Sequence, residues 1–232
     1  MDLGQKHGFD VDATKDGTVF TPENIARYDA FFFYTQGDIS DKSSRDGAPP
    51  VSPEGKAAFL QAIKDGKGFV ASHSASDTYH SPMHYGPNQF KNQPNRDPYI
   101  EMIGGEFIKH GPQQTATMGI ADPKFPGLEG RGKSFDIHDE WYSLKNFAED
   151  MHVILVQETK GMKGSDYDRP NYPATWARQH GKGRVFYTSM GHRADVWTNP
   201  IFQGLILGAL SWATGNVDAD IPPNIREVTP KF

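Results

Sequence analysis

The sequence predicts an α/β fold: a doubly wound, mostly parallel sheet with helices on both faces. Three observations carry that prediction. Short apolar runs alternate with capped helical stretches along the chain, the β-α-β order from which parallel sheets are built. The run at 30–34, Ala-Phe-Phe-Phe-Tyr, is apolar at every position, as in a strand covered on both faces. Two later runs end in small polar residues and then a histidine, at the carboxyl edge where open α/β sheets bind ligands.

Taken in order, residues 2–8 read as the tail of a helix with Gly8 as its cap, and residues 9–13 as a strand. Thr21 and Pro22 open a short helix, Thr as N-cap and Pro at the first helical position, and 30–34 form the next strand. Ser52-Pro53-Glu54-Gly55 starts a second helix in the same way. Ala57, Phe59, Leu60 and Ile63 give it an apolar stripe, and Asp65-Gly66-Lys67-Gly68 ends it. Residues 69–72 enter the sheet, and a turn and helix follow. Segment 81–97, rich in Pro, Asn, Gln and His, reads as a long surface loop, a kind of segment that is usually functional. Strands are expected at 115–120, 151–158 and 184–189, a strongly apolar closing helix at 201–214, and an extended strap from 215 to 232, with Pro222, Pro223 and Pro230.

A doubly wound domain begins with a buried strand, and no run ahead of residue 9 supplies one. The first strand is therefore expected to be missing. An all-apolar strand at 30–34 with neighbours on both sides would then have a bare edge, and unpaired buried backbone groups cost about 1–3 kcal/mol each. Either the Pro-rich tail or a second copy of the chain, making a homodimer, is expected to cover it.

The 232 residues suit one domain over 1–214 followed by the 215–232 tail. Lys and Arg number 24 against 29 Asp and Glu, a net charge of -5 that gives no basic footprint for nucleic acid. With no cysteine, thiol nucleophiles, disulfides and thiolate metal sites are excluded, so any metal must rest on His, carboxylate or carbonyl ligands. No apolar run approaches the ~20 residues that span a bilayer, so no membrane partner is expected. A chain of this kind suits cytoplasm and periplasm equally.

His73 stands where the 69–72 strand turns out of the sheet, and His192 follows Gly183-Arg184-Val185-Phe186-Tyr187-Thr188-Ser189-Met190-Gly191 in the same way. Two histidines leaving strands at one edge point to a shared pocket. Asp139 and Glu140 would face opposite ways on a strand, so one of them can point inward, and Trp141 and Tyr142 beside them suit a partly buried sugar site. His73, Glu140 and His192 are therefore the expected catalytic trio. Asp77, His110, Trp141, Tyr142 and Arg193 are expected around the substrate, although Asp77 equally suits a helix cap. His80, His84, His138, His152 and His180 read as structural or solvent-facing, and His7 as a surface residue.

Four motifs in this order carry a resemblance: His73-Ser74-Ala75-Ser76-Asp77, Gly104-Gly105-Glu106-Phe107, Asp139-Glu140-Trp141-Tyr142 and 183–192. Together they resemble the ThuA-like (trehalose utilisation) family, from residue 9 to 214. That family is similar in turn to the class I glutamine amidotransferase fold. The resemblance implies that His73 takes the place of the amidotransferase cysteine nucleophile and His192 that of its histidine partner. It also implies two departures: the absent first strand, and Asp122-Pro123 where the family tends to have His-Pro.

By that resemblance the chain acts in carbohydrate catabolism, on a disaccharide or its 3-keto derivative, by isomerase- or hydrolase-type chemistry. Two imidazoles and a carboxylate can serve as general acid and base, or bind a divalent metal that polarises a sugar carbonyl. The alternative is a carbohydrate-binding or regulatory module without turnover. Glutamine hydrolysis through a thioester is excluded by the missing thiol.

Overall fold

A computed structural model of the chain describes residues 2–42, 47–82, 84 and 89–232, the side chain of Asp2 excepted. Residues 83 and 85–88 of the expected polar loop lie outside the described residues. Nine strands are described: β1 (Ala30–Phe33), β2 (Gly68–Ser72), β3 (Glu106–His110), β4 (Gln114–Ile120), β5 (Ser134–Asp139), β6 (Tyr142–Lys145), β7 (His152–Gln157), β8 (Tyr172–His180) and β9 (Gly183–Thr188). The helices are α1 (Asp2–His7), α2 (Pro22–Ile25), α3 (Pro53–Asp65), α4 (Pro98–Ile103), α5 (Pro200–Ala213) and α6 (Ile225–Val228).

Seven strands form one sheet in the order β1-β2-β9-β8-β7-β4-β5, and β3 pairs with β6 in a separate ribbon. Only β1, β2 and β9 run parallel to one another, and every other pairing is antiparallel. The sheet is therefore mixed, which corrects the expected mostly parallel, doubly wound sheet. The cause lies in the connections, since parallel neighbours need a crossover of a dozen or more residues. His180 and Gly183 face each other across a two-residue turn, so β8 and β9 can pair only as a hairpin. Parallel order survives where α3 links β1 to β2.

Helices do cover both faces. Phe59 and Ile63 of α3 and Tyr99, Ile100, Met102 and Ile103 of α4 join one core cluster, with Tyr142 and Leu144 of the ribbon. Phe202, Leu205, Ile206, Ala209 and Trp212 of α5 join the other, against Val70 and Phe186, with Leu3 of α1 at its margin. The caps are those the sequence announces: Thr21 Oγ1 accepts from the Asn24 N–H at 3.3 Å, and Ser52 Oγ from the Gly55 N–H at 2.9 Å. No helix among the described residues is long and apolar enough to cross a membrane.

Three expectations are corrected. Residues 9–13 form no strand; the Phe9 N–H turns back to the Gly4 carbonyl and closes α1, with Gly8 at φ 77°. β1 is an end strand among the described residues, paired on one side with β2, and not an interior one. The tail does not cover it either. Segment 215–232 docks instead along β9 and β7, where Arg184 bonds the Val217 carbonyl, Asn224 bonds the backbone of Val153 and Ile225 is buried, and it includes the helical turn α6.

Candidate active site

β2 and β9 run parallel with Ser72 opposite Thr188, so the segments after them leave the sheet side by side. His73 turns there with φ 47°, a left-handed conformation that costs a non-glycine residue of order 1–3 kcal/mol unless its surroundings enforce it. Here they do. The Tyr187 hydroxyl donates to the His73 carbonyl at 3.0 Å, and the Ser72 hydroxyl donates across to the Met190 carbonyl at 2.7 Å. Gly191 has φ 123°, and a Cβ on it would lie 2.5 Å from Ser72 Oγ, so only glycine lets the second turn come this close. That approach brings His192 onto His73.

The third member comes from farther away. After β5 the chain crosses the carboxyl edge of the sheet at Glu140 and enters the ribbon at Tyr142, whose ring centroid is 4.1 Å from that of His73. His73 Nε2 lies 3.4 Å from Glu140 Oε2, His192 Nδ1 lies 3.3 Å from the same oxygen, and the two nitrogens are 3.3 Å apart. His73 and Glu140 are buried while His192 is exposed, so the triangle is open on one side. The Ser189 carbonyl, 3.0 Å from His73 Nδ1, can only accept, which places the proton on Nδ1 and turns a lone pair of Nε2 into the triangle. Burial favours the neutral form of Glu140, but the imidazoles of His73, His110 and His192 around it outweigh that and hold its carboxyl below the ordinary value.

The remaining expected residues fall in different places. His110 Nδ1 lies 3.3 Å from Glu140 Oε1, at the exposed mouth of the site. Tyr142 packs on His73. Trp141 is fully buried with its indole N–H on the Gln114 carbonyl, so it has no free face for a sugar, against expectation. Arg193 lies beside the site, but its guanidinium is engaged by Asp195 and Gln113. Asp77 is buried too, with one oxygen 2.8 Å from His80 Nε2 and the other accepting from Gln36 at 2.9 Å, so it is taken up by protein partners.

Asp139 has a role the sequence reading left open. Its two oxygens accept the N–H groups of Glu140 (2.9 Å), Gly191 (2.7 Å) and Arg193 (3.1 Å), so one buried carboxylate fixes the backbone around both Glu140 and His192. The alternation of a strand end, which sends neighbours opposite ways, was the available signal.

A second histidine–carboxylate group, His80, His84 and Glu106, also has ligand-type spacing. Its rings settle how it reads. His80 and His84 stack with centroids 3.8 Å apart and planes 20° from parallel, so in-plane lone pairs cannot meet at one ion between them. The His73 and His192 planes cross at 69°, which allows it. Glu106 moreover accepts from the Ser81 N–H and hydroxyl, both at 2.8 Å, and from Asn146. Burial opposes a charge on His80, but Asp77 and Glu106 more than offset it and lift its pKa to about 9. This group is a charge hub that ties the 73–81 turn to the ribbon.

The fold and site define a class: a cysteine-free α/β protein with a mixed sheet, whose two parallel strand-end turns bring His73 and His192 together at its carboxyl edge. The family follows from a direct match. Residues 1–213 match the ThuA family model, described as trehalose utilisation, and the chain belongs to that family. No curated protein matches it significantly. Among solved structures it is similar to a putative ThuA-like protein from Bacteroides uniformis (19% identity, 91% of this chain and 80% of that one, TM-score 0.66). A second, from Parabacteroides merdae, matches at 19% identity over 98% and 88%, with TM-score 0.60. A cytoplasmic protein from Salmonella typhimurium matches at 13% identity over 91% and 84%, with TM-score 0.59. At these identities the likenesses speak for the fold.

Proposed function

We propose that the chain is a carbohydrate-acting enzyme in which His73, Glu140 and His192 hold a divalent cation, with a disaccharide or its 3-keto derivative as substrate. The triangle carries this reading. Four ligands set tetrahedrally at ~2.0–2.1 Å from a metal stand roughly 3.3–3.4 Å from one another, and the three edges here are 3.3, 3.3 and 3.4 Å. Two nitrogens and a carboxylate oxygen aimed at one point repel unless a positive charge lies between them. The fourth position faces the exposed side, as in catalytic rather than structural metal sites. A cation held there would polarise a sugar carbonyl or hydroxyl. Ser189 and Asp139 keep the ligands in place, and His110 stands at the mouth to give or take a proton at the substrate. The family's association with trehalose utilisation supports the substrate class.

The test is elemental analysis of the purified protein and of His73→Ala and His192→Ala, followed by incubation with trehalose and 3-keto-trehalose. About one divalent ion per chain, lost in both variants together with turnover, is expected. Stoichiometric metal that survives both substitutions rejects the assignment. Turnover that a chelator leaves untouched moves the reading to acid–base catalysis, with a shared proton in the triangle.

A further inference from the structure

Few large apolar side chains are exposed among the described residues, and two of them, Phe32 (38%) and Tyr34 (46%), stand two apart on and just after β1, on one face. Trp197 joins them. Its ring lies 5.5 Å from that of Tyr34 at 88°, and 6.2 Å from that of Phe32. The Tyr34 hydroxyl (3.0 Å) and the Trp197 indole N–H (2.8 Å) both donate to the Gly191 carbonyl, the residue before His192. With their polar ends satisfied, what these rings offer to solvent is carbon, and Tyr34 and Trp197 meet as a right-angled corner. The corner is continuous with the site, since the Tyr34 ring centroid is 6.5 Å from that of His73.

We propose that Tyr34, Trp197 and Phe32 form a binding subsite for the second, non-reacting ring of a disaccharide whose other ring sits at His73 and His192. This rests on the sugar-acting reading of that site. A pyranose has an apolar CH face that packs on an aromatic ring, while its hydroxyls need polar partners. The corner supplies only the first, so it recognises ring shape and leaves the chemistry to the histidines. Fixing both rings through one carbonyl next to His192 also sets the subsite at a constant distance from the reacting position. Preorganised rings lose little freedom on binding.

Calorimetric titration of the wild-type chain, Tyr34→Ala and Trp197→Phe with trehalose and with glucose tests this. The second variant keeps the packing on Phe202 while removing the indole bond to Gly191. Expected is a loss of trehalose affinity of about tenfold in Tyr34→Ala and a smaller loss in Trp197→Phe, with glucose binding at the histidines little changed. If trehalose binds the wild type and both variants alike, or if glucose weakens in parallel with trehalose, the subsite is wrong while the sugar reading stands. If the wild type binds neither sugar, the sugar reading fails and takes the subsite with it. Light scattering closes the remaining route: a wild-type dimer that Phe32→Glu dissociates would show that a second copy occupies this face, which also overturns the proposal.

Discussion

At the scale of single residues, the site depends on side chains that never face its open side. Asp139 is the clearest, because its carboxylate accepts three backbone N–H groups around Glu140 and His192. Asp139→Asn keeps the shape but puts an NH₂ against an N–H, so at least one bond is lost. A buried bond to a charged group contributes about 1.5–3 kcal/mol. The expected outcome is a drop of that order in unfolding free energy, measured by urea titration, and, on the proposed carbohydrate-acting reading, a loss of turnover larger than the stability change alone explains. An Asp139→Asn protein with wild-type activity would show that the backbone around His192 holds itself. The trio was legible in the sequence because strand-end histidines advertise themselves by position. The clamp was not, since nothing local shows which N–H groups a carboxylate will reach across 50 residues of chain. Trp141 misled for the opposite reason: an aromatic beside a carboxylate looks the same in sequence whether its ring is enclosed or free.

At the scale of elements, what could be read depended on how local the cause was. α2 and α3 follow from caps and an apolar stripe within their own residues, α5 from its strongly apolar run, and β1, β2, β7 and β9 from short apolar stretches. β8 escaped notice because Pro173, Arg178 and Gln179 break its pattern, and with it went the antiparallel half of the sheet. Glycine in α5 shows long-range packing overruling a local preference. In a helix, Gly→Ala ordinarily gains about 0.5–1 kcal/mol. A Cβ on Gly208, however, would lie 1.9 Å from the Pro126 carbonyl oxygen, which is backbone and cannot swing aside. Overpacking of this kind costs roughly 1–3 kcal/mol or more, so the sign should reverse. Gly208→Ala is expected to lower the melting temperature, and a rise would mean that the 126–127 segment is free to move off the helix.

At the scale of the whole molecule, the last 18 residues are held to the sheet by a group that titrates. His152, on β7, bonds the Pro222 carbonyl through Nδ1 at 2.8 Å and Asp122 through Nε2 at 3.0 Å. Burial opposes the charged forms of both side chains, yet their mutual bond outweighs it, raising the pKa of His152 and lowering that of Asp122, with Asp220 adding to the first. The signs then set a window. A raised histidine contributes its stabilisation fully below its unfolded pKa of about 6.5 and loses it as pH climbs through the higher folded value. A lowered aspartate contributes fully above about 3.9 and loses it as pH falls through the lower folded value. Docking of the tail is therefore expected to be firmest between about pH 4 and 6.5 and to loosen on either side. Amide hydrogen exchange at 224–229, corrected for the intrinsic rate at each pH, measures this directly. Asp122→Asn removes the partner that holds His152 charged, so its exchange profile should lose the alkaline loosening. A wild-type profile flat from pH 5 to 9 would place the hold on the tail elsewhere, in Asn224 and the burial of Ile225, neither of which titrates.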